Sequence, residues 1–328
     1  MDFSLSMLLA AFAGGCFGAL CGALIAFALA GTLVLLGVAV ALAGGRVDVL
    51  GTMAFGPVFG PHVAFAGAVA AVAYAARRGY VETGRDIATP LASLGKPDPI
   101  VIGGLFGVGG YAIQQLLVEL LAKSDGTGFY TDTVALSVGI TAVVARFAFG
   151  AGGLLGARPQ RRARPIMAGG SQEADALGAE ALPAEPEPTW VPWQRAWSQA
   201  ALLGLVSGIA SAWVLAELNA VDSAYVGAAT VIGFGVSASL LALLVVGASV
   251  PVTHHMTLPA AVAAGFVAAA GGSVLTIVAV GALCGVLGAL LGELCARLFL
   301  IHGDTHVDPP ALAIALMTTA IVLTDLAL

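Results

Sequence analysis

Apolar runs of about 20 residues recur along this chain of 328 residues, and a run of that length suits the hydrocarbon core of a bilayer. Charged residues make up 10% of the chain and hydrophobic residues 59%. Soluble domains carry roughly 25% charged residues. So little charge could not cover the surface of a water-soluble fold of this size. The runs are continuous, whereas the strands of a transmembrane barrel alternate. The sequence therefore predicts an all-α integral membrane protein, multi-pass in the cell membrane, with the lipid bilayer as its main partner. The formal net charge of -6 says little about partners, because much of it lies in one linker.

The opening "MDFSLSMLLAAFAGG" lacks a basic region and a clear processing site, so no cleavable signal peptide is expected. Cys16, Cys21, Cys284 and Cys295 lie in apolar segments without a CxxC pair and read as small packing residues. Ten transmembrane or re-entrant helices are predicted, at about 5–26, 28–45, 62–79, 99–122, 131–152, 195–217, 223–248, 255–272, 273–301 and 309–327. The second, third and eighth are the candidates for partial or re-entrant segments. Residues 1–155 form an N-terminal half and 195–328 a C-terminal half. Between them, 156–194 reads as a polar linker, basic at first and then rich in Ala, Glu and Pro. Trp190, Trp193 and Trp197 stand where an interfacial aromatic belt would be.

Basic residues orient the chain. Arg77, Arg78, Arg85 and Lys96 precede the fourth span, and Arg158, Arg161, Arg162 and Arg164 follow the fifth. The positive-inside rule puts both groups in the cytoplasm and both termini outside. Five spans per half force the second half to run opposite to the first, which is the inverted repeat of many secondary transporters. "HVAFAGAVAA" from His62 and "HMTLPAAVAA" from His255, each at the start of the third span of its half, support that reading. Gly14, Gly18 and Gly22, and Gly281, Gly285, Gly288 and Gly292, recur at packing intervals. Such faces let backbones approach inside one chain, or would serve a homo-oligomer.

The five histidines fall beside helix breaks. His62 follows Gly56-Pro57 and Gly60-Pro61, and His254 and His255 lie between Pro251 and Pro259. Matched interruptions in two halves point to a transport site; caps at the water interface are the alternative. "IHGDTHVDPPA" puts His302, Asp304, His306 and Asp308 at alternate positions, on one side of an extended segment. Asp308, before Pro309-Pro310, reads as a helix N-cap, as does Asp98 before Pro99. Asp304 and His306 are candidates for solute contact or a proton relay, and with His302 for a divalent metal site. No cofactor is otherwise predicted. Gln114 and Gln115 are polar inside the fourth span, so at least one should face protein. Glu293 and Arg297 are spaced to pair, Asp132 to cap the fifth span, and Arg146 to snorkel or to meet a carboxylate.

No HExxH, GxSxG, P-loop or CxxCH occurs. The basic clusters are short and explained by topology, so no nucleic-acid partner is expected. "AFGPVFGPHVAFAG", "TDTVALSVGITAVVARFAFG", "PVTHHMTLPAA" and "GDTHVDPPALAI" together resemble an uncharacterised family of prokaryotic multi-pass proteins, labelled permeases or domains of unknown function. The resemblance spans nearly the whole chain outside 156–194 and supplies no substrate. The expected function is a permease or secondary transporter, channel-like in the limit, for a small solute or ion. The alternatives are an intramembrane metal-dependent enzyme using the His/Asp loop and a non-transporting assembly subunit.

Overall fold

A computed structural model describes residues 2–126, 128–156 and 190–325. Most of the expected linker, 157–189 with its basic cluster, lies outside the described residues. The described residues are helical, with isolated bridges and no strand. Five stretches are long and apolar enough to cross a membrane: Ala23–Leu42, Pro97–Leu120, Trp197–Val221, Ser223–Val245 and Val274–Leu300. Shorter apolar helices cover Leu5–Cys21, Ala64–Arg77, Thr133–Phe149 and Pro309–Asp325.

In chain order the first five helices are α1 (Leu5–Cys21), α2 (Ala23–Leu42), α3 (Ala64–Arg77), α4 (Pro97–Leu120) and α5 (Thr133–Phe149). There follow α6 (Trp197–Val221), then α7 (Val226–Thr230), α8 (Ile232–Leu240) and α9 (Ala242–Val245) as pieces of one interrupted stretch. The last are α10 (His254–Ala269), α11 (Val274–Cys295, continued by a π-helical turn to Leu300) and α12 (Pro309–Asp325). The break between α1 and α2 falls at Gly22 and not near residue 27, because Gly22 takes a φ of 89° that L side chains avoid. The stretch expected as a single span over 223–248 is interrupted at Val231 and Leu241.

Two tight triads organise the fold. In one, α1 lies against α4 and α3; in the other, α6 lies against α11 and α10. Glycine makes both crossings close. A Cβ on Gly15 would strike the Gly103 carbonyl, and one on Gly204 or Gly208 would strike the Gly285 or Gly281 carbonyl. Gly14 and Gly18 meet Val58 and Ala64, and Gly288 and Gly292 meet His255. The predicted glycine rows are thus occupied by packing within the chain. Helix pairs α2–α8 and α5–α12 join the triads, and the main apolar cluster, with Phe27, Phe65 and Phe234, fills the space between.

The helix breaks have local causes. Before α3, Ala66 N–H bonds the Pro61 carbonyl at 3.0 Å. In α10, Pro259 has no N–H to give the His255 carbonyl four residues earlier. The His62 carbonyl lies against Gly110 of α4, and the His255 carbonyl against Gly288 of α11. Gly110→Val and Gly288→Val are therefore expected to destabilise the chain by about 1–3 kcal/mol each through overpacking. Gly109→Val is the control, since a Cβ there meets nothing within 4 Å. Thermal melts in detergent check this: both clashing variants should melt lower than the wild type, and the control should not.

Candidate functional site

Two cavities, of about 540 and 440 Å³, lie back to back between the triads on shared residues. Four residues line both: Phe27 of α2, Phe65 of α3, His254 at the start of α10, and Asp308 before α12. These four form a waist. The first cavity extends from it to Thr83, Arg85, Asp86 and Trp190. The second extends to Gln114, Lys123, Phe129 and Phe266.

The waist is aromatic. The ring of Phe27 stands 5.5 Å from Phe65, 5.7 Å from Phe234 and 4.8 Å from His254. The position of His254 is set by the non-helical segment before it. Gln194 grips Val252 from both sides, its Nε2 donating to the carbonyl at 3.1 Å and its Oε1 accepting from the amide at 2.6 Å. The Thr253 amide donates to Ser237 Oγ at 3.2 Å. With the backbone held there, α10 begins at His254. His254 is 4% exposed, and its Nδ1 has no hydrogen-bond partner.

Asp308 reaches the waist through the 302–308 loop. A turn from Leu300 to Gly303 reverses the chain, and the His306 amide donates to the Gly84 carbonyl at 3.0 Å. Asp308 Oδ2 then accepts from the Ala311 amide at 2.8 Å as the N-terminal cap of α12. Its Oδ1 lies 3.1 Å from His306 Nε2. With the His306 proton on Nε2, both oxygens accept hydrogen bonds. The matching position before α5 is Asp132, whose side chain accepts from the Ala135 amide at 2.7 Å and which lines the second cavity.

Arg146, 1% exposed near the end of α5, holds the loop in place. Its Nε donates to Thr305 Oγ1 at 3.0 Å, its Nη2 to the Thr305 carbonyl at 2.5 Å, and its Nη1 to the carbonyls of Leu154, at 2.7 Å, and Phe299. It does not snorkel, because the carbonyls of Leu154, Phe299 and Thr305 supply acceptors inside the protein. Asp304 is exposed and accepts from the Ala151 amide at 2.5 Å.

The residues of "IHGDTHVDPPA" do not share one side. His306 and Asp308 turn inward, whereas His302 is half-buried and Asp304 faces the end of α5. The turn from Leu300 to Gly303 takes His302 out of the extended run that alternate spacing assumed, and the run is extended only where Thr305 pairs with Gly84. Among the described residues, no three His, Cys, Asp or Glu side chains come together as metal ligands would. Of the other histidines, His62 is 2% exposed with Nδ1 unpartnered, and His255 is fully buried with both ring nitrogens unpartnered. Neither lines either of these two cavities. His255 packs on Gly292 and stands 6.0 Å from the Trp190 ring.

Gln114 lines the second cavity and donates to Thr133 Oγ1 at 3.4 Å. Gln115 points away from it, accepting from the Asp2 amide at 3.2 Å. Asp98 is not a cap. Helix α4 starts a residue earlier, at Pro97, and the Asp98 carboxylate accepts from the hydroxyls of Tyr74 at 3.1 Å and Tyr80 at 3.2 Å. Glu293 pairs with Arg297 at 2.7 Å and accepts from Trp190 Nε1 at 3.0 Å. Trp190 is thus tied to α11, while Arg297 lies over the Trp197 ring at 4.4 Å.

Sequence reasoning missed Phe27, Phe65, Trp190, Gln194 and Arg146 as parts of this region. Phe27 and Phe65 had no signal, being aromatic residues in an apolar background, and Trp190 read only as part of an interfacial belt. Gln194 and Arg146 were visible as polar residues beside or inside an apolar run.

No curated protein and no solved structure matches the chain. A family model does, and it agrees with the resemblance carried by the four sequence motifs. That model, described as a family of unknown function (DUF7973), runs over residues 1–327, from α1 through the waist to α12, and the chain belongs to this family.

Proposed function

We propose that the chain is a multi-pass permease of the cell membrane, and that a small solute or ion passes through the waist between the two cavities. The observation that carries this reading is the pair of cavities sharing Phe27, Phe65, His254 and Asp308. A binding site for a single bound ligand needs one mouth; two cavities back to back on the same four residues suit passage.

The helix arrangement lends support. Helices α1, α3, α4 and α5 correspond to α6, α10, α11 and α12 in what they pack against, and α2 corresponds to the interrupted stretch α7–α9. His62 against Gly110 matches His255 against Gly288. The caps Asp132 and Asp308 match as well. We read these as two five-span halves, ten spans in all, and an odd number per half gives the inverted arrangement found in secondary transporters.

Orientation follows from the basic residues. The 80–97 loop, the 302–308 loop and both ends of the linker gather at one end, through Gly84 and Thr305, Arg85 and Ile301, and Arg146 and Leu154. Asp2 and Gln115 mark the other. With positive residues inside, the cavity at Arg85 opens to the cytoplasm and that at Lys123 to the outside.

The test is flux in proteoliposomes against a panel of small neutral, cationic and anionic solutes. At least one should equilibrate faster than in protein-free liposomes, and Phe27→Trp, which adds bulk at the waist, should slow it. No flux above protein-free liposomes for any member of the panel would overturn the reading.

A further inference from the structure

The charges along the two cavities are unevenly placed. Each outer end has one cation and one anion of its own: Arg85 with Asp86, and Lys123 with Asp132. These are engaged locally. Arg85 donates to the Ile301 carbonyl at 3.0 Å, Asp86 accepts from Ala88 and Thr89, and Lys123 Nζ lies 5.4 Å from the Phe266 ring. The four residues of the waist include one carboxylate and no lysine or arginine.

Three features of the waist suit one class of guest. A carboxylate with one hydrogen bond to each oxygen keeps further lone pairs for a donor. The faces of Phe27 and Phe65 attract a cation, and both rings accept an apolar body. His254, almost wholly buried and lining both cavities, carries a ring nitrogen that nothing in the protein satisfies, and buried polar atoms are normally paired. An anion would instead meet the Asp308 carboxylate at the waist.

We propose that the waist binds a small organic monocation, a protonated amine with an apolar body, whose ammonium group donates to Asp308 and whose body packs against the Phe27 and Phe65 rings. This deepens the permease reading and rests on it only for the movement of the bound amine. Cavities of about 540 and 440 Å³ fall within the range that holds such molecules.

The experiment compares three probes with one phenylethyl-type body and different charge: 2-phenylethylammonium, 2-phenylethanol and phenylacetate. Equilibrium dialysis of the full chain in detergent measures binding of each. The amine should bind at least about tenfold more tightly than either of the others, a difference of about 1.4 kcal/mol. Asp308→Asn, whose amide can still cap α12, should lose that preference, with a thermal melt showing that the variant is folded. The charge series on the wild type needs no variant. Equal binding of all three, tighter binding of phenylacetate, no binding of the amine, or a preference that survives in folded Asp308→Asn overturns the proposal. Amine binding without flux of any panel solute would remove the permease reading and leave the site. Flux of a solute with which the amine does not compete would do the reverse.

Discussion

Arg146→Leu is expected to destabilise the chain by about 3–5 kcal/mol, through the several buried acceptors it leaves unpaired. The wild-type guanidinium donates to three carbonyls, those of Leu154, Phe299 and Thr305, and to the Thr305 hydroxyl. Leucine fills much of the space and supplies no donor. Each carbonyl left buried and unpaired costs about 1–3 kcal/mol, less where water can enter. Arg146→Lys should recover only part of the loss, because a single ammonium cannot reach acceptors spread over a planar fork. The consequence extends to the waist. The loop that Arg146 clamps carries His306 and Asp308, so a variant that still folds should hold Asp308 less firmly. Thermal melts and yield from membranes measure the effect. A wild-type melting temperature for Arg146→Leu would show that the clamp is dispensable.

Arg146 also illustrates which features a sequence conceals. It reads as a charge near a helix end, for which snorkelling is the ordinary expectation. Its partners are carbonyls more than 150 residues away in sequence at Phe299 and Thr305, and carbonyls carry no sequence signature. The same holds for Gln194, whose partner is the backbone of Val252. Asp98-Pro99 looked like Asp308-Pro309, yet only Asp308 caps its helix. The difference lies in the two tyrosine hydroxyls that claim Asp98.

Helix positions were far more legible. An apolar run bounded by Gly, Pro or charge sets its own ends, and α4, α5, α10 and α12 start within two residues of the expected spans. The boundary at Gly22 was hidden because apolar residues continue on both sides and only a positive φ marks the turn. The grouping of histidines at helix breaks was visible, but not that His254 lines the cavities while neighbouring His255 packs behind it. On a helix, adjacent residues point about 100° apart, and nothing in "HH" says which one faces inward.

The Phe27 ring lines both cavities, and Phe27→Cys tests a path through the waist without knowledge of the solute. The variant is made with Cys16, Cys21, Cys284 and Cys295 replaced by alanine and placed in sealed vesicles of either orientation. A membrane-impermeant cationic thiol reagent should label residue 27 from both sides, since both cavities reach it. The adduct should then lower the flux of any transported solute at least about tenfold, equivalent to a barrier raised by about 1.4 kcal/mol. Labelling from neither side or from one side only, or full labelling with unchanged flux, would contradict a path through the waist.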